Sequence, residues 1–495
     1  MNTKRRAASL LLGVVLAACA NTPVPTPAGS SPPAASPSPT PTTTTVPTAS
    51  PATTSATAPS STPITPAASP SASPAPTPVA TPSLTSAPSP APTAVPTPSS
   101  CMTVSVHVVV AGDTLWDIAQ QYGVTVETLL AANPQITDAS LIHPRDRITI
   151  PPRAIDLGAP EGGPSRAIEV NDRGQVIVVS SPPSAMSTRG FLWQDGVMTD
   201  LGTLGGPSTV VWDINNSGQV VGSSQTPSME QHAFIWQDGV MTDLGSPGPY
   251  GADALDINDR GQVVGEFVTA SGHSGAFIWQ DGVMTDLGTL GGDYARAEAM
   301  NERGQVVGQS WTPSGETHAF LWENGTMTDL GLVGTQGRVE GVNERAQVVG
   351  NRSATGADSQ GFLWHDGVMT DLGTLGGAIG LARSVNARGQ VVGRSQVSSS
   401  VWHAFVWQDG VMTDLGTLGF SSFSDAYDIN NCGQVVGAGA TVSGQSHAFL
   451  WQDGAMIDLA TLGGASMALD VNEHGMAVGV STTPSGVEHA VLWTR

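Results

Sequence analysis

Residues 253–292 have the sequence DALDINDRGQVVGEFVTASGHSGAFIWQDGVMTDLGTLGG, and this pattern recurs from residue 154 to the end of the chain. Four short runs rich in apolar and β-branched residues are separated by turns, and Asp259-Arg260-Gly261 and Asp281-Gly282 suit tight hairpins. Two of the runs, within QVVG and AFIW, are almost continuously apolar, as is typical of strands covered on both faces. The unit therefore predicts four antiparallel strands.

Eight copies of this unit follow one another at intervals of 42 to 44 residues. Each copy has an Asn just before its first turn: Asn171, Asn215, Asn258, Asn301, Asn343, Asn386, Asn430 and Asn472. Each also has a Trp at the end of its third run: Trp193, Trp236, Trp279, Trp322, Trp364, Trp407, Trp451 and Trp493. Four strands in roughly 40–45 residues, repeated many times, are typical of a β-propeller.

The two ends of the array predict that it closes into a ring. The fourth-strand motif occurs one extra time at residues 154–158 (AIDLG), and the last copy stops after its third strand at Val491-Leu492-Trp493. An N-terminal strand that completes the C-terminal blade leaves no sheet edge free. We expect a mainly β protein with an eight-bladed β-propeller of four-stranded repeats over residues 154–495. A β-solenoid or another repeat array is the alternative.

The repeats also resemble a known family. They are similar to the HAF family of extracellular repeats, named for the His-Ala-Phe that begins here at His232, His318, His403 and His447. The resemblance implies an extracytoplasmic location and no defined activity. Loops between the second and third strands differ from repeat to repeat, and Trp311 and Trp402 fall in them. Variable loops on a rigid scaffold often contain binding sites. We therefore expect an unknown ligand or protein partner to bind at these loops.

A second module precedes the repeats, with the sequence SVHVVVAGDTLWDIAQQYGVTVETLLAANPQITDASLIHPRDRITIP at residues 105–151. Residues 106–110 predict a strand, and Asp113 or Thr114 can cap a helix that Gly123 ends. Thr125 can cap a second helix, and Arg147–Ile150 predicts a returning strand. The module is therefore expected to have the order βααβ.

This module resembles the LysM family, which binds N-acetylglucosamine polymers such as peptidoglycan in bacteria and chitin elsewhere. The resemblance rests on Gly112-Asp113-Thr114-Leu115, Ile118-Ala119, Tyr122-Gly123-Val124, Asn133-Pro134 and Ile148-x-Ile150-Pro151. The family's groove lies between the first strand–helix loop and the loop before the last strand. It implies as glycan-binding residues Gly112, Asp113, Thr114, Leu115, Leu141, Ile142, His143 and Pro144. The chain departs from the family at Pro144-Arg145-Asp146, where Pro-Gly-Gln is usual.

The N-terminus is typical of an exported lipoprotein. Three basic residues and a short apolar run precede Leu16-Ala17-Ala18-Cys19, which resembles the lipobox in which the Cys is acylated. An ordinary cleaved signal is the alternative. We expect a signal peptide at residues 1–18, a disordered Pro/Ser/Thr/Ala-rich linker at 19–102, the LysM domain at 103–152 and the propeller at 154–495. The protein would be lipid-anchored to the bacterial membrane, facing periplasm or cell surface.

The charge of the chain and its motifs exclude several classes of function. The formal net charge is −22, and such an acidic chain repels phosphate backbones, so we expect no nucleic-acid partner. No catalytic triad motif, phosphate-binding loop, dinucleotide fingerprint or metal-ligand spacing stands out, so no catalytic residue, metal or cofactor is predicted. Three cysteines are too few for a disulfide scaffold. Cys101 and Cys432 are expected as free thiols, with a disulfide between them as the alternative.

These observations predict a cell-envelope lipoprotein that binds peptidoglycan or a related N-acetylglucosamine polymer through its LysM domain. The repeat propeller would be a binding or scaffolding platform, and we expect the protein not to be an enzyme. A wall- or polysaccharide-active propeller enzyme that the LysM domain targets is one alternative. A structural spacer at the cell surface is another.

The lipobox resemblance gives the first test. Replacing Cys19 with Ser removes the sulfur that an acyl chain would modify, so the protein should move from the membrane fraction to the soluble fraction on cell fractionation. Cys101→Ser is the matched control and should leave the protein with the membranes. Membrane retention of Cys19→Ser would rule out lipidation at this residue as the anchor.

Overall fold

The structure is a computed structural model that describes residues 105–133, 135–183, 187–248, 250–334, 337–353 and 359–494. The predicted signal peptide, the linker and Cys19 lie outside these residues. None of the helices that the structure describes has the length and apolar character that a membrane crossing requires.

The N-terminal module has the predicted order βααβ. It consists of β1 (Ser105–Val108), α1 (Leu115–Tyr122), α2 (Val126–Ala131) and β2 (Arg147–Ile150), and β1 pairs antiparallel with β2. Thr114 and Thr125 cap the two helices as expected, because each hydroxyl accepts a hydrogen bond from a backbone N–H three residues later. Gly123 ends α1 with φ of 67°, a left-handed conformation that favours glycine.

Thirty-two strands follow in the described part of the chain. They are β3 (Arg153–Gly158), β4 (Ser165–Val170), β5 (Val176–Ser180), β6 (Arg189–Gln194), β7 (Val197–Asp200), β8 (Thr209–Ile214), β9 (Val220–Gln225), β10 (Gln231–Gln237), β11 (Val240–Gly245), β12 (Ala252–Ile257), β13 (Val263–Val268), β14 (Ser274–Gln280), β15 (Val283–Asp286), β16 (Ala295–Met300), β17 (Val306–Trp311), β18 (Thr317–Glu323), β19 (Thr326–Leu332), β20 (Arg338–Val342), β21 (Val348–Ser353), β22 (Ser359–His365), β23 (Val368–Asp371), β24 (Gly380–Val385), β25 (Val391–Ser398), β26 (Val401–Gln408), β27 (Val411–Gly416), β28 (Gly419–Ile429), β29 (Val435–Thr441), β30 (Ser446–Gln452), β31 (Ala455–Asp458), β32 (Ser466–Val471), β33 (Ala477–Thr482) and β34 (Glu488–Thr494).

The strands form antiparallel groups of four in sequence order, beginning with repeat 1 (β4–β7), repeat 2 (β8–β11), repeat 3 (β12–β15) and repeat 4 (β16–β19). Repeats 5 (β20–β23), 6 (β24–β27) and 7 (β28–β31) follow the same antiparallel order, and single parallel residue pairs join these three. Repeat 8 contains β32, β33 and β34, and its fourth strand is β3 from the start of the array. The prediction of a mainly β chain with four-stranded units is confirmed.

The pairing of β3 with β34 places the first strand of the array beside the last. Asp156 lies opposite Val491 in the register, and its carboxylate is 3.0 Å from Nδ1 of His489. Leu157 of β3 also packs in one apolar cluster with Leu492 of repeat 8 and Phe191 of repeat 1. Strand pairing and core packing therefore both connect the two ends of the array.

The Asn before each first turn forms a repeated set of hydrogen bonds. In repeat 2, Oδ1 of Asn215 accepts from the backbone N–H groups of Ser217 and Gln219, at 3.0 and 2.9 Å, which fixes the hairpin. Nδ2 of Asn215 donates to the backbone oxygen of Asn258 in repeat 3, at 3.0 Å. The same inter-repeat bond occurs at each following Asn, and Nδ2 of Asn472 donates to the backbone oxygen of Asn171, at 2.9 Å.

The core lies between neighbouring sheets rather than in one centre. A Phe from the third strand is fully buried in most repeats: Phe234, Phe277, Phe320, Phe362, Phe405 and Phe449. Phe277 of repeat 3, for example, packs in one cluster with Val221 and Ile235 of repeat 2. Each sheet therefore buries one face on the repeat before it and the other on the repeat after it, which explains the apolar runs in the sequence.

Two expectations from the sequence need correction. Trp311 and Trp402 lie in strands β17 and β26, because the second and third strands of their repeats extend further than the apolar runs indicate. Cys432 is disulfide-bonded, so the expectation of a free thiol at this residue is wrong. Cys101, the partner considered from the sequence, lies outside the described residues.

The position of β3 predicts a large effect of its removal. Deleting residues 153–158 exposes the edge of β34 and the apolar surface under Leu157, so the melting temperature of the repeats should fall by about 5 °C or more. Val283→Ala, at a side chain that is 64% exposed, is the control and should leave the melting temperature unchanged. An unchanged melting temperature in the deletion variant would show that β3 does not stabilise the array.

Candidate glycan-binding site

Two loops of the N-terminal module lie side by side. The first loop (residues 109–114) connects β1 to α1, and the second loop (residues 141–146) precedes β2. The backbone N–H of Arg145 donates to the oxygen of Val109 at 2.8 Å, and the N–H of Val109 donates to the oxygen of Asp146 at 2.9 Å. The structure thus brings together the two segments that contain the predicted glycan-binding residues.

Asp113 holds the first loop in its conformation. Its Oδ2 accepts a hydrogen bond from the backbone N–H of Val110 and another from Nε2 of His107, each at 2.8 Å. The hydrogen bond with His107, and after it the one from Val110, lowers the pKa of the Asp113 carboxyl below its usual value. The hydroxyl of Tyr122 lies 3.3 Å from the other ring nitrogen of His107, so the imidazole links the loop to α1.

Thr114 and Leu115 connect the first loop to α1. Oγ1 of Thr114 accepts from the N–H of Asp117 at 3.1 Å and donates to its carboxylate at 2.7 Å, which is a helix cap. Leu115 is only 2% exposed and packs in the core of the module. Gly112 has φ of 98°, a left-handed conformation, and a Cβ there would meet no atom within 4 Å. Gly112 and Thr114 are therefore exposed at the loop, whereas the Leu115 side chain anchors it.

Asp146 shapes the second loop. Its carboxylate accepts from the N–H of His143 at 2.7 Å, and its own N–H donates to the oxygen of His143 at 3.0 Å. Arg145 between them has φ of 83°, the left-handed region that the Gly of the usual Pro-Gly-Gln adopts more easily. The departure from the family pattern therefore changes the side chains of this turn, and the Asp146 carboxylate supports its backbone.

The second loop presents both apolar and polar side chains to solvent. Leu141 is 61% exposed, and the side chain of His143 is 74% exposed. Pro144 is also exposed, whereas Ile142 is half-buried against the core of the module. The two loops together form a surface with backbone polar groups, an exposed apolar side chain and an exposed imidazole, which suits a shallow polymer site rather than a deep pocket.

Sequence reasoning missed Trp116. Its side chain is 63% exposed in the first turn of α1, immediately after the first loop. The helical spacing of Leu115, Ile118 and Ala119 contained the necessary signal, because those positions face the core and residue 116 must then face away. An exposed indole beside polar loop groups is a common feature of sites that bind ring-shaped ligands.

A family comparison assigns the module. Residues 107–151 match the model of the LysM domain. The matched segment includes every glycan-binding residue that the resemblance implied, so the prediction of a LysM domain in this part of the chain is confirmed. The segment also lies within the predicted domain boundaries.

Two curated proteins are similar over the same part of the chain. The spore coat assembly protein ExsA of Bacillus cereus is 37% identical over 62 residues, which are 12% of this chain and 10% of that protein. The SpoIVD-associated factor A of Bacillus subtilis (strain 168) is 37% identical over 65 residues, which are 13% of this chain and 17% of that protein. The chain thus spans less than a fifth of the length of either relative.

Solved structures with similarity to the chain include peptidases. A Mycobacterium tuberculosis puromycin-hydrolyzing peptidase has a TM-score of 0.40 and 13% identity and covers 67% of this chain and 61% of its own. A structure from an analysis of two prolyl endopeptidases has a TM-score of 0.45 and 10% identity, with coverage of 67% and 54%. These hydrolases contradict the expectation that the chain is not an enzyme, and that expectation is withdrawn. At this level of similarity they assign no activity to the chain.

The lowered pKa of Asp113 predicts a pH-dependent effect of its replacement. Because the folded pKa lies below the ordinary carboxyl value of about 4, the ionised group stabilises the folded domain above that pH. This stabilisation is lost as the pH falls through the lower folded pKa. Asp113→Asn should therefore lower the melting temperature of residues 103–152 at pH 7 and have a smaller effect at pH 2. An equal effect at both pH values would contradict this role of the charge.

Proposed function

We propose that the protein binds peptidoglycan or a related N-acetylglucosamine polymer through its LysM domain. LysM domains bind polymers of this class, and residues 107–151 match the family. The observation that carries the proposal is the pair of backbone hydrogen bonds between Val109 and residues 145–146, which holds the two loops as one surface. The acetamido group of the sugar would bond to backbone groups of this surface, with Leu141 and Trp116 against its apolar face.

The repeats would form a closed eight-bladed β-propeller. This part of the proposal is supported by the pairing of β3 with β34, by the bond from Asn472 to Asn171 and by the shared core of repeats 8 and 1. Closure removes the exposed strand edges that an open array would present to other chains. The propeller would provide a rigid platform whose variable loops are free to contact a further partner.

The location would be outside the cytoplasm. The lipobox resemblance at Cys19 and the HAF-like repeats both favour export, with a lipid anchor in the membrane and the linker as a spacer. Peptidoglycan lies in the compartment that such an anchored protein reaches. The lipid anchor and the LysM domain would then hold the propeller between the membrane and the cell wall.

Co-sedimentation with insoluble peptidoglycan tests the proposed function. The protein should pellet with the polymer, and Leu141→Asp should weaken binding at least about tenfold, because it places a charge on the apolar part of the surface. Val442→Asp is the matched control, since Val442 is an exposed apolar residue of the repeats, 79% exposed, and should pellet like the wild type.

The outcomes separate the LysM domain from the repeats. If deletion of residues 103–152 abolishes pelleting, the LysM domain is the wall-binding part. If the wild type does not pellet with peptidoglycan or with chitin, the proposed ligand class is wrong. If Leu141→Asp pellets like the wild type while the deletion does not, binding occurs on another face of the domain.

A further inference from the structure

Two grooves lined by the same residue types at all but one position lie between consecutive repeats. One lies between repeats 3 and 4 and has a volume of about 260 Å³, and the other lies between repeats 2 and 3 and has a volume of about 290 Å³. Each lining residue of the first groove has its counterpart 43 residues earlier in the second. They are smaller than the pockets of roughly 300–1,000 Å³ that enclose drug-sized ligands, so each holds about one small ring.

The two walls of each groove differ in chemistry. In the groove between repeats 3 and 4, repeat 3 contributes Gln262, Gln280, Val283 and Thr285, and repeat 4 contributes Trp322. Val283 is 64% exposed and the indole is half-buried, so apolar surface is open to solvent on both sides. Amide and hydroxyl groups lie between them. The groove thus combines an aromatic face with several neutral hydrogen-bonding groups.

The amides are arranged with spare hydrogen-bonding capacity. Nε2 of Gln262 donates to Oε1 of Gln280 at 3.0 Å, and Nε2 of Gln219 donates to Oε1 of Gln237 at 3.1 Å in the other groove. The amide nitrogens of Gln280 and Gln237 donate to no residue that the structure describes. The two N–H donors of this amide nitrogen therefore remain available for a ligand in each groove.

An arginine from the first turn of the next repeat completes each groove. Arg303 lies in the groove between repeats 3 and 4, and Arg260 occupies the same place one repeat earlier. Both side chains are exposed, and in the described part of the chain neither guanidinium has an ion-pair or hydrogen-bond partner. The five N–H donors of each are available to oxygen atoms of a ligand. Because this turn is fixed by its Asn, the guanidinium is attached at a rigid point.

Each of the other junctions between repeats lacks at least one of the residue types that line these two grooves. Between repeats 1 and 2, Ser217 stands where the arginine would be, although Gln175, Gln194, Val197, Thr199 and Trp236 match. Between repeats 8 and 1, Arg173 is present, but Met476 stands in place of the first Gln. The sequence therefore supplies natural comparisons for the role of each group.

We propose that these two grooves each bind one neutral pyranose unit of a glycan. The C–H face of a pyranose suits the indole, and its ring hydroxyls suit the amides, the Thr hydroxyl and the guanidinium. A neutral ligand fits better than an anion, because the chain as a whole carries −22. In the groove between repeats 2 and 3, Asp281 also lies with Arg260, and the other groove has Asn324 at this position. These sites lie in the repeats and do not depend on the LysM domain.

Indole N–H signals of the full chain, followed by NMR during sugar titration, test the proposal. The probes are methyl α-D-glucopyranoside, galactopyranoside and mannopyranoside. They carry no acetamido group, which is the group that the LysM domain is proposed to bind, so the test does not depend on that domain. Of the 12 tryptophans, Trp279 and Trp322 should shift with at least one probe. Trp279→Phe and Trp322→Phe assign these two signals.

Substitutions at the arginine position distinguish a specific sugar-binding site from non-specific contact between the sugar and an indole. The double variant Arg260→Ser, Arg303→Ser reproduces the junction between repeats 1 and 2 and should weaken binding at least tenfold. Ser217→Arg should add a third responding indole, that of Trp236. Arg173→Ser is the matched control and should bind like the wild type, and melting temperatures verify that each variant folds.

The proposal is overturned if no indole responds to any probe, or if the double variant keeps both shifts. It is also overturned if Ser217→Arg folds and adds no responding indole.

A four-unit oligosaccharide of the responding sugar distinguishes the source of the ligand. Affinity more than tenfold above the monomer supports a glycan chain that spans both grooves, and equal affinity supports the same grooves with a free sugar as ligand.

Discussion

The Asn side chain at the first turn of each repeat is the interaction on which the rest of the fold depends. Its Oδ1 closes its own hairpin, and its Nδ2 bonds the backbone oxygen of the equivalent Asn in the next repeat, as at Asn215 and Asn258. Buried backbone groups at a junction between sheets are costly to leave without partners, and this one side chain satisfies them on both sides. Because the same geometry applies at every junction, one sequence motif sets the spacing of all the sheets.

The repeated residues form the scaffold, and positions that differ between repeats can therefore have separate roles. The first strands differ in their charged residues from one repeat to the next, and those of repeats 5, 6 and 7 contain Glu340, Arg383 and Asp425. The guanidinium of Arg383 lies 3.0 Å from the carboxylate of Asp425, and both side chains are almost completely buried. Burial is the largest effect on Glu340 and raises its pKa, although nearby arginines oppose that shift. Buried ion pairs of this kind fix a specific arrangement more than they add stability.

Much of the architecture could be predicted from the sequence, because it depends on local patterns. Turn residues, apolar runs and the extra strand motif at residues 154–158 gave the four-stranded units and the partner of β34. Helix caps at Thr114 and Thr125 gave the two helices of the LysM domain. The disulfide at Cys432, the ion pair of Arg383 and the inter-repeat grooves were not predicted. Each of these depends on residues that are distant in sequence, and a local pattern does not specify such neighbours.

In the proposed function, the LysM domain binds the glycan and the repeats form a platform. Hydrogen–deuterium exchange of the full chain, measured with and without a soluble N-acetylglucosamine oligomer, can distinguish these two roles. We expect slower exchange at residues 109–116 and 141–146 on addition of the oligomer, because the ligand covers the backbone groups of the two loops. Exchange in the central strands of the repeats should stay the same. Protection confined to the repeats, with no change in the two loops, would mean that the LysM loops are not the glycan-binding surface.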